Sequence, residues 1–142
     1  MDSKKLGILG EKVATKYLKK KGYQILDKNY SSKFVSGPQR GEIDIVAKPQ
    51  RNIFDILRGK KSDTIHFVEV KTLLFKDGGE PFSAISPEEK FNLAKKRKTI
   101  KMAESWLMEK KIPLDSKWQI DVISVRINLA NKKAKILRFS NV

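Results

Sequence analysis

Near the start of the chain, Leu6, Leu9, Val13 and Tyr17 recur at helical spacing, with Lys5, Lys12, Lys16 and Lys19 on the opposite side. This predicts an amphipathic helix over residues 3–21, with one stripe buried and the other in water. At about 100° per residue, Glu11 falls beside Gly7, Ala14 and Leu18, on the flank of the buried stripe and away from the lysines. Gly22 ends the helix. The apolar period then shortens to two, and "YQILDKNY" reads as a strand. "SSKFVSGPQR" reads as a turn or hairpin loop, and "GEIDIVAKPQ" as a second strand with Ile43, Ile45 and Val46 as its buried members.

The next segment, "KPQRNIFDILRGKKSD", mixes Pro, Asn, Gly and charge around the apolar patch from Ile53 to Leu57. It predicts an excursion with one helical turn, an extended hairpin rather than a substrate-binding addition. "TIHFVEVKT" is a further strand with Glu69 and Lys71 on one face and His66, Val68 and Val70 on the other. "LLFKDGGEPFSAI" reads as a mobile loop. Ser86 as N-cap, Pro87 at the first helical position and Glu89 three beyond the cap open a second long helix, which should run to about Lys111 before Pro113. "WQIDVISVRI" and "KAKILRFSNV" close the chain as strands joined by "NLANK". The order predicts a single α/β domain spanning residues 1–142, with helices packed on a sheet.

At 142 residues the chain is long enough to bury a core. It has no cysteine, which excludes disulfides, thiolate metal sites and cysteine nucleophiles, and its one histidine, His66, excludes sites built on several imidazoles. Carboxylates and lysines are left to do any chemistry. The basic N-terminal stretch is broken by Glu11 and Lys12 before it becomes a secretory h-region, and no apolar run approaches the roughly 20 residues that span a bilayer. The expectation is a cytoplasmic protein without a membrane partner. Net charge is +15, from 31 Lys and Arg against 16 Asp and Glu, and such an excess points to a polyanion, nucleic acid first.

Acids inside apolar strands are the chemical signal. Residues i and i+2 of a strand share a face, so Glu42 points with Asp44, and Glu69 with Lys71; if the two strands pair, the four groups converge. Charges on a buried face cost several kcal/mol unless paired or metal-bound. Two solutions exist: ion pairs with Lys71 and Arg40, or a hard divalent cation such as Mg²⁺ or Mn²⁺. In so basic a chain the second would supply metal-dependent phosphodiester hydrolysis, with Lys71 orienting the attacking water. Asp121, in "QIDVIS", is a satisfied structural carboxylate or a group supporting the site from behind. Lys95, Lys96, Arg97 and Lys98 run around a helix circumference, so not all of them can face one groove. They are either a solvated face or phosphate contacts. Phe82, Trp106 and Trp118 are read as core rather than as base-stacking surfaces, and His66 as a packed or hydrogen-bonded strand residue.

Asp44 with Glu69-Val70-Lys71 resembles the core of the PD-(D/E)XK nucleases. The whole chain is similar to the YraN family of nuclease-like proteins, through "LGEKVATKYLKKKGYQILDKNY", "GEIDIVA", "FVEVKT", the helix carrying Lys90, "IDVISV" and "ILRFSNV". The resemblance implies a restriction endonuclease-like fold, a mixed sheet flanked by helices, and cleavage of DNA, with branched or damaged structures as candidate substrates. It implies Asp44 and Glu69 as metal ligands joined by Glu11 from the first helix, Lys71 as the catalytic lysine, and Glu42 as a supporting acid or part of a second metal site. Lys90 joins Lys95 to Lys98 as an expected nucleic-acid contact. DNA is expected ahead of RNA, and a homodimer is compatible with cutting two strands. Leu73 and Leu74 stand where the family usually has Arg or another polar residue. The rival readings are a nucleic-acid-binding module that keeps the fold without turnover, and a protein-interaction domain.

Overall fold

A computed structural model describes residues 2–59, 63–75 and 93–142. Helix α1 is Ser3–Lys20, β1 Tyr23–Tyr30, β2 Ile43–Pro49, α2 Ile53–Leu57, β3 Ile65–Phe75, α3 Leu93–Glu109, β4 Trp118–Asn128 and β5 Lys133–Phe139. The five strands form one sheet in chain order. Neighbours are antiparallel except β3 and β4, which run parallel. A parallel pair cannot be closed by a tight turn, and α3 lies on the crossover between them.

The alternation of apolar residues along the strands separates two cores. Phe67, Ile120 and Val122 pack with Met102, Ala103, Trp106 and Leu107 of α3. Val68, Ile123, Val125 and Ile127 pack with Ala14 and Leu18 of α1. The sheet is therefore covered by helices on both faces, the mixed α/β architecture the sequence predicts and one consistent with a restriction endonuclease-like fold. Trp106 is buried with its ring edge-on to Phe67 at 5.7 Å, and Trp118 meets the same ring at 5.6 Å, so both are core.

The largest departure from the sequence reading is at Leu73, Leu74 and Phe75. Expected as loop, they continue β3 and pair in register with Arg126, Ile127 and Asn128. The long parallel ladder satisfies their backbone groups, an effect that the Gly and Pro just beyond them conceal in the sequence. The capping box at Ser86 and Glu89, together with Phe82 and Lys90, lies outside the described residues. Helix α3 stops at Glu109, two residues early, and Lys111 takes a left-handed backbone (φ 56°) just after it. The loop before β2 holds a short 3₁₀ turn, Gly37–Gln39. The helical turn expected after β2 is α2, with a capping box between Asn52 and Asp55.

One close contact fixes α1 over the sheet. A Cβ built on Gly10 would lie 1.7 Å from the Thr72 hydroxyl oxygen. Only glycine permits this approach of helix to β3, and the next residue is Glu11.

Candidate metal centre

Strand parity places Asp44, Glu69 and Lys71 on the α3 face, the face of Phe67 and Val122. The β2–β3 ladder pairs Ile45 with Val68, so Asp44 and Glu69 stand side by side one step further on. There the Asp44 side chain takes over from the ladder: its Oδ2 accepts the Val70 N–H at 2.7 Å. Glu11 comes over the strand ends from α1. Carboxylate oxygens of Glu11, Glu42 and Asp44 all lie within 4.8 Å of one another. The position of Glu11 on the flank of α1, legible on the helical wheel, is what allows it to reach them.

Asn29, which sequence reasoning missed, ties two of the three, Glu11 and Glu42. With its amide oriented to suit its partners, its nitrogen donates to Glu11 Oε2 and to Glu42 Oε1, each at 3.1 Å. It sits near the end of β1 with φ 52°, a conformation that Asn tolerates better than most residues, and an Asn closing a strand was the available signal.

Glu69 lies outside the trio. Its Oε1 is bound by Lys95 of α3 at 2.7 Å and by Lys71 at 3.3 Å. Together with Arg40, Glu42, Asp44, Lys95 and Lys98 it lines a cavity of about 600 Å³. Of the basic run on α3, Lys95 and Lys98, one turn apart, therefore face the acids, while Lys96 and Arg97 are absent from that lining. An ion pair with Lys71, one of the two solutions open to these acids, forms at Glu69, yet Lys95 is the closer cation.

The electrostatics follow from the crowding of like charges. Burial and the neighbouring charge of Glu69 push the Asp44 carboxyl up to about 8, against the Val70 hydrogen bond, and Glu11 and Glu42 add to the rise. Burial raises Glu11 as well, opposed by Asn29 and reinforced by Glu42. Burial, followed by the hydrogen bond and charge of Lys95, holds Lys71 below the ordinary lysine range. Burial also works against the charge on Lys95, but its hydrogen bond to Glu69 prevails and raises it. Of the two lysines, Lys71 is thus the readier to give up a proton.

Asp121 belongs to the other face, in register with Val68. Fully buried, it accepts from Gln119 Nε2 (2.7 Å), the Asn141 N–H (2.9 Å) and Arg138 (2.8 Å), and its Oδ2 lies 2.7 Å from His66 Nδ1. This is the satisfied structural carboxylate among the two roles expected of it, and His66 is the hydrogen-bonded strand residue expected.

The sequence profile of uncharacterised protein family UPF0102 matches residues 10–125, which include every member of this site. The chain belongs to UPF0102, the YraN family. A UPF0102 protein of Alkaliphilus oremlandii is 36% identical over 98% of this chain and 97% of its own length. One from Caldicellulosiruptor saccharolyticus is 32% identical over 99% and 98%, and one from Campylobacter jejuni 36% identical over 84% and 82%. The UPF0102 match spans Glu11, Asn29, Glu42, Asp44, Glu69 and Lys71 alike.

Proposed function

We propose that this UPF0102 protein is a metal-dependent endonuclease that hydrolyses phosphodiester bonds in DNA, with branched or damaged structures as its substrate class. The observation that carries the reading is the trio of Glu11, Glu42 and Asp44 around one point, with the Asp44 carboxyl pushed up by burial and by the acids beside it. An all-oxygen, all-carboxylate donor set suits Mg²⁺ or Mn²⁺, and a divalent cation relieves the repulsion that burial imposes on Asp44. Glu11, Asp44 and Glu42 would hold the ion, with Glu69 beside Asp44 reaching it once Lys95 or Lys71 lets go. When bound, such an ion polarises the phosphate and acidifies a ligated water.

The chain's own residues supply the remaining steps. Lys71, held below its usual range, accepts or orients the proton of the attacking water. Arg40, Lys95 and Lys98 line the same cavity and provide the positive wall that a phosphodiester requires. The net charge of +15 supports a polyanionic substrate.

The test is cleavage of linear, flapped and four-way DNA with Mg²⁺ or Mn²⁺. Metal-dependent cutting abolished in Glu69→Ala and in Lys71→Ala is the expected result; activity that persists in both variants rules the reading out. A second reading has one observation in its favour: two lysines already neutralise Glu69. A nucleic-acid-binding module without turnover would show salt-sensitive DNA binding and no Mn²⁺ uptake by calorimetry.

A further inference from the structure

At the end of the sheet opposite the acids, β2 leads into α2, and none of the residues of this helix is buried. Ile53, Phe54, Ile56 and Leu57 are 66%, 63%, 59% and 76% exposed. At about 100° per residue they cover one continuous arc, and Asp55 alone faces the back. The turn is nevertheless well formed. Asn52 and Asp55 cap it reciprocally, Gly59 ends it with φ 69°, and Arg51 meets Asp63 across its neck at 2.8 Å. Four large, mostly exposed apolar groups are thus held out on a turn that polar contacts close.

The base of the tip is basic. Lys48 is exposed at the end of β2, and Arg58 just after α2. The Gln50 N–H bonds Gly22 O, which brings Lys21 at the end of α1 alongside, and the Ile65 N–H bonds Lys117 O on the other side. A second copy of the chain would bring like charges together, which argues against self-association through this end. An apolar point inside a cationic collar is complementary to an anionic lipid interface, where the side chains enter the acyl boundary and the lysines meet headgroups.

We infer that the α2 tip docks the protein on anionic membrane surfaces. Such contact lies in the plane of the interface and needs no spanning helix, and among the described residues no helix is long and apolar enough to cross a bilayer. The expectation of no membrane partner rests on the lack of a secretory h-region and of a spanning apolar run, and an interfacial contact uses neither. The docked orientation leaves the acidic end of the sheet facing away from the lipid.

The experiment is co-sedimentation of the full chain with vesicles of phosphatidylglycerol and phosphatidylcholine, and with phosphatidylcholine alone. Binding is expected to the anionic vesicles and to fall with added salt. The double variant Phe54→Ser with Leu57→Ser is expected to lower partitioning roughly tenfold or more, with an unchanged melting temperature because both side chains are mostly exposed. A Phe54→Trp variant should show quenching by brominated acyl chains. Equal sedimentation of wild type and double variant would reduce the attraction to charge alone and overturn the inference. No sedimentation with anionic vesicles would overturn it too, leaving an apolar protein groove as the occupant of the tip.

Discussion

Asp44 and Asp121 occupy nearly the same local sequence, an aspartate between apolar β-branched residues of a central strand, and end in opposite electrostatic states. Asp121 is surrounded by donors. Burial alone would raise it, but His66, the Asn141 N–H, Gln119 and Arg138 together hold it well below the usual carboxylate range. Asp44 has one backbone donor and carboxylates for neighbours, and rises to about 8. A buried acid with every lone pair answered is structure, whereas one left among other acids is a candidate ligand for a cation.

The sharpest way to break this contrast is to delete each carboxylate. Asp44→Ala is expected to lower metal-dependent DNA cleavage on the order of 10³-fold while costing no more than about 1–2 kcal/mol, because the repulsion it removes offsets the Val70 N–H it leaves without an acceptor. Asp121→Ala should instead destabilise the fold by about 3–5 kcal/mol by leaving Arg138 buried and uncompensated. Cleavage assays and urea titrations on both variants check this. Equal destabilisation would make Asp44 a structural acid.

pH separates the two next. Asp44 binds its proton more tightly folded than unfolded, so its contribution to stability is complete below 3.8 and is lost as pH climbs through about 8. Asp121 has the opposite sign: its contribution is present above 3.8 and is lost only as pH falls through its depressed folded value. An ion ligated by Asp44 would displace its proton, so Mn²⁺ affinity should rise roughly tenfold per pH unit and level off near pH 8. Calorimetry between pH 6 and about 9 measures it, and a flat profile would mean that Asp44 does not ligate the ion.

Smaller effects refine how the acids are placed. Gly10→Ala should cost about 1–3 kcal/mol by driving α1 from Thr72. It should also weaken Mn²⁺ binding through displacement of Glu11, whereas a stability loss with unchanged binding would free Glu11 from that role. The least change is expected of Lys98→Ala, which should reduce the slope of log DNA affinity against log salt by roughly one. An unaltered slope would place phosphate contacts elsewhere than the cavity wall.

Much of this geometry was legible beforehand, because it depends on local periodicity. Two-residue alternation sets Glu42 with Asp44 and Glu69 with Lys71, and the wheel of α1 puts Glu11 on its flank. What was not legible depends on segments far apart in the chain. The hold of Asn29 on Glu11 and Glu42 required β1, α1 and the approach to β2 to meet at one corner. The closer grip of Lys95 on Glu69 required α3 to cross that face. The extension of β3 through Leu73, Leu74 and Phe75 required β4 as its partner.

Local sequence was thus enough for the order of the elements, the face each side chain takes along them, the strongly basic charge and the family, though not for the full length of β3. The tertiary structure alone decided which buried acid is satisfied and which is not. That choice turns on the donors and charges within a few ångströms of each carboxylate, and packing of distant segments, rather than local periodicity, supplies them.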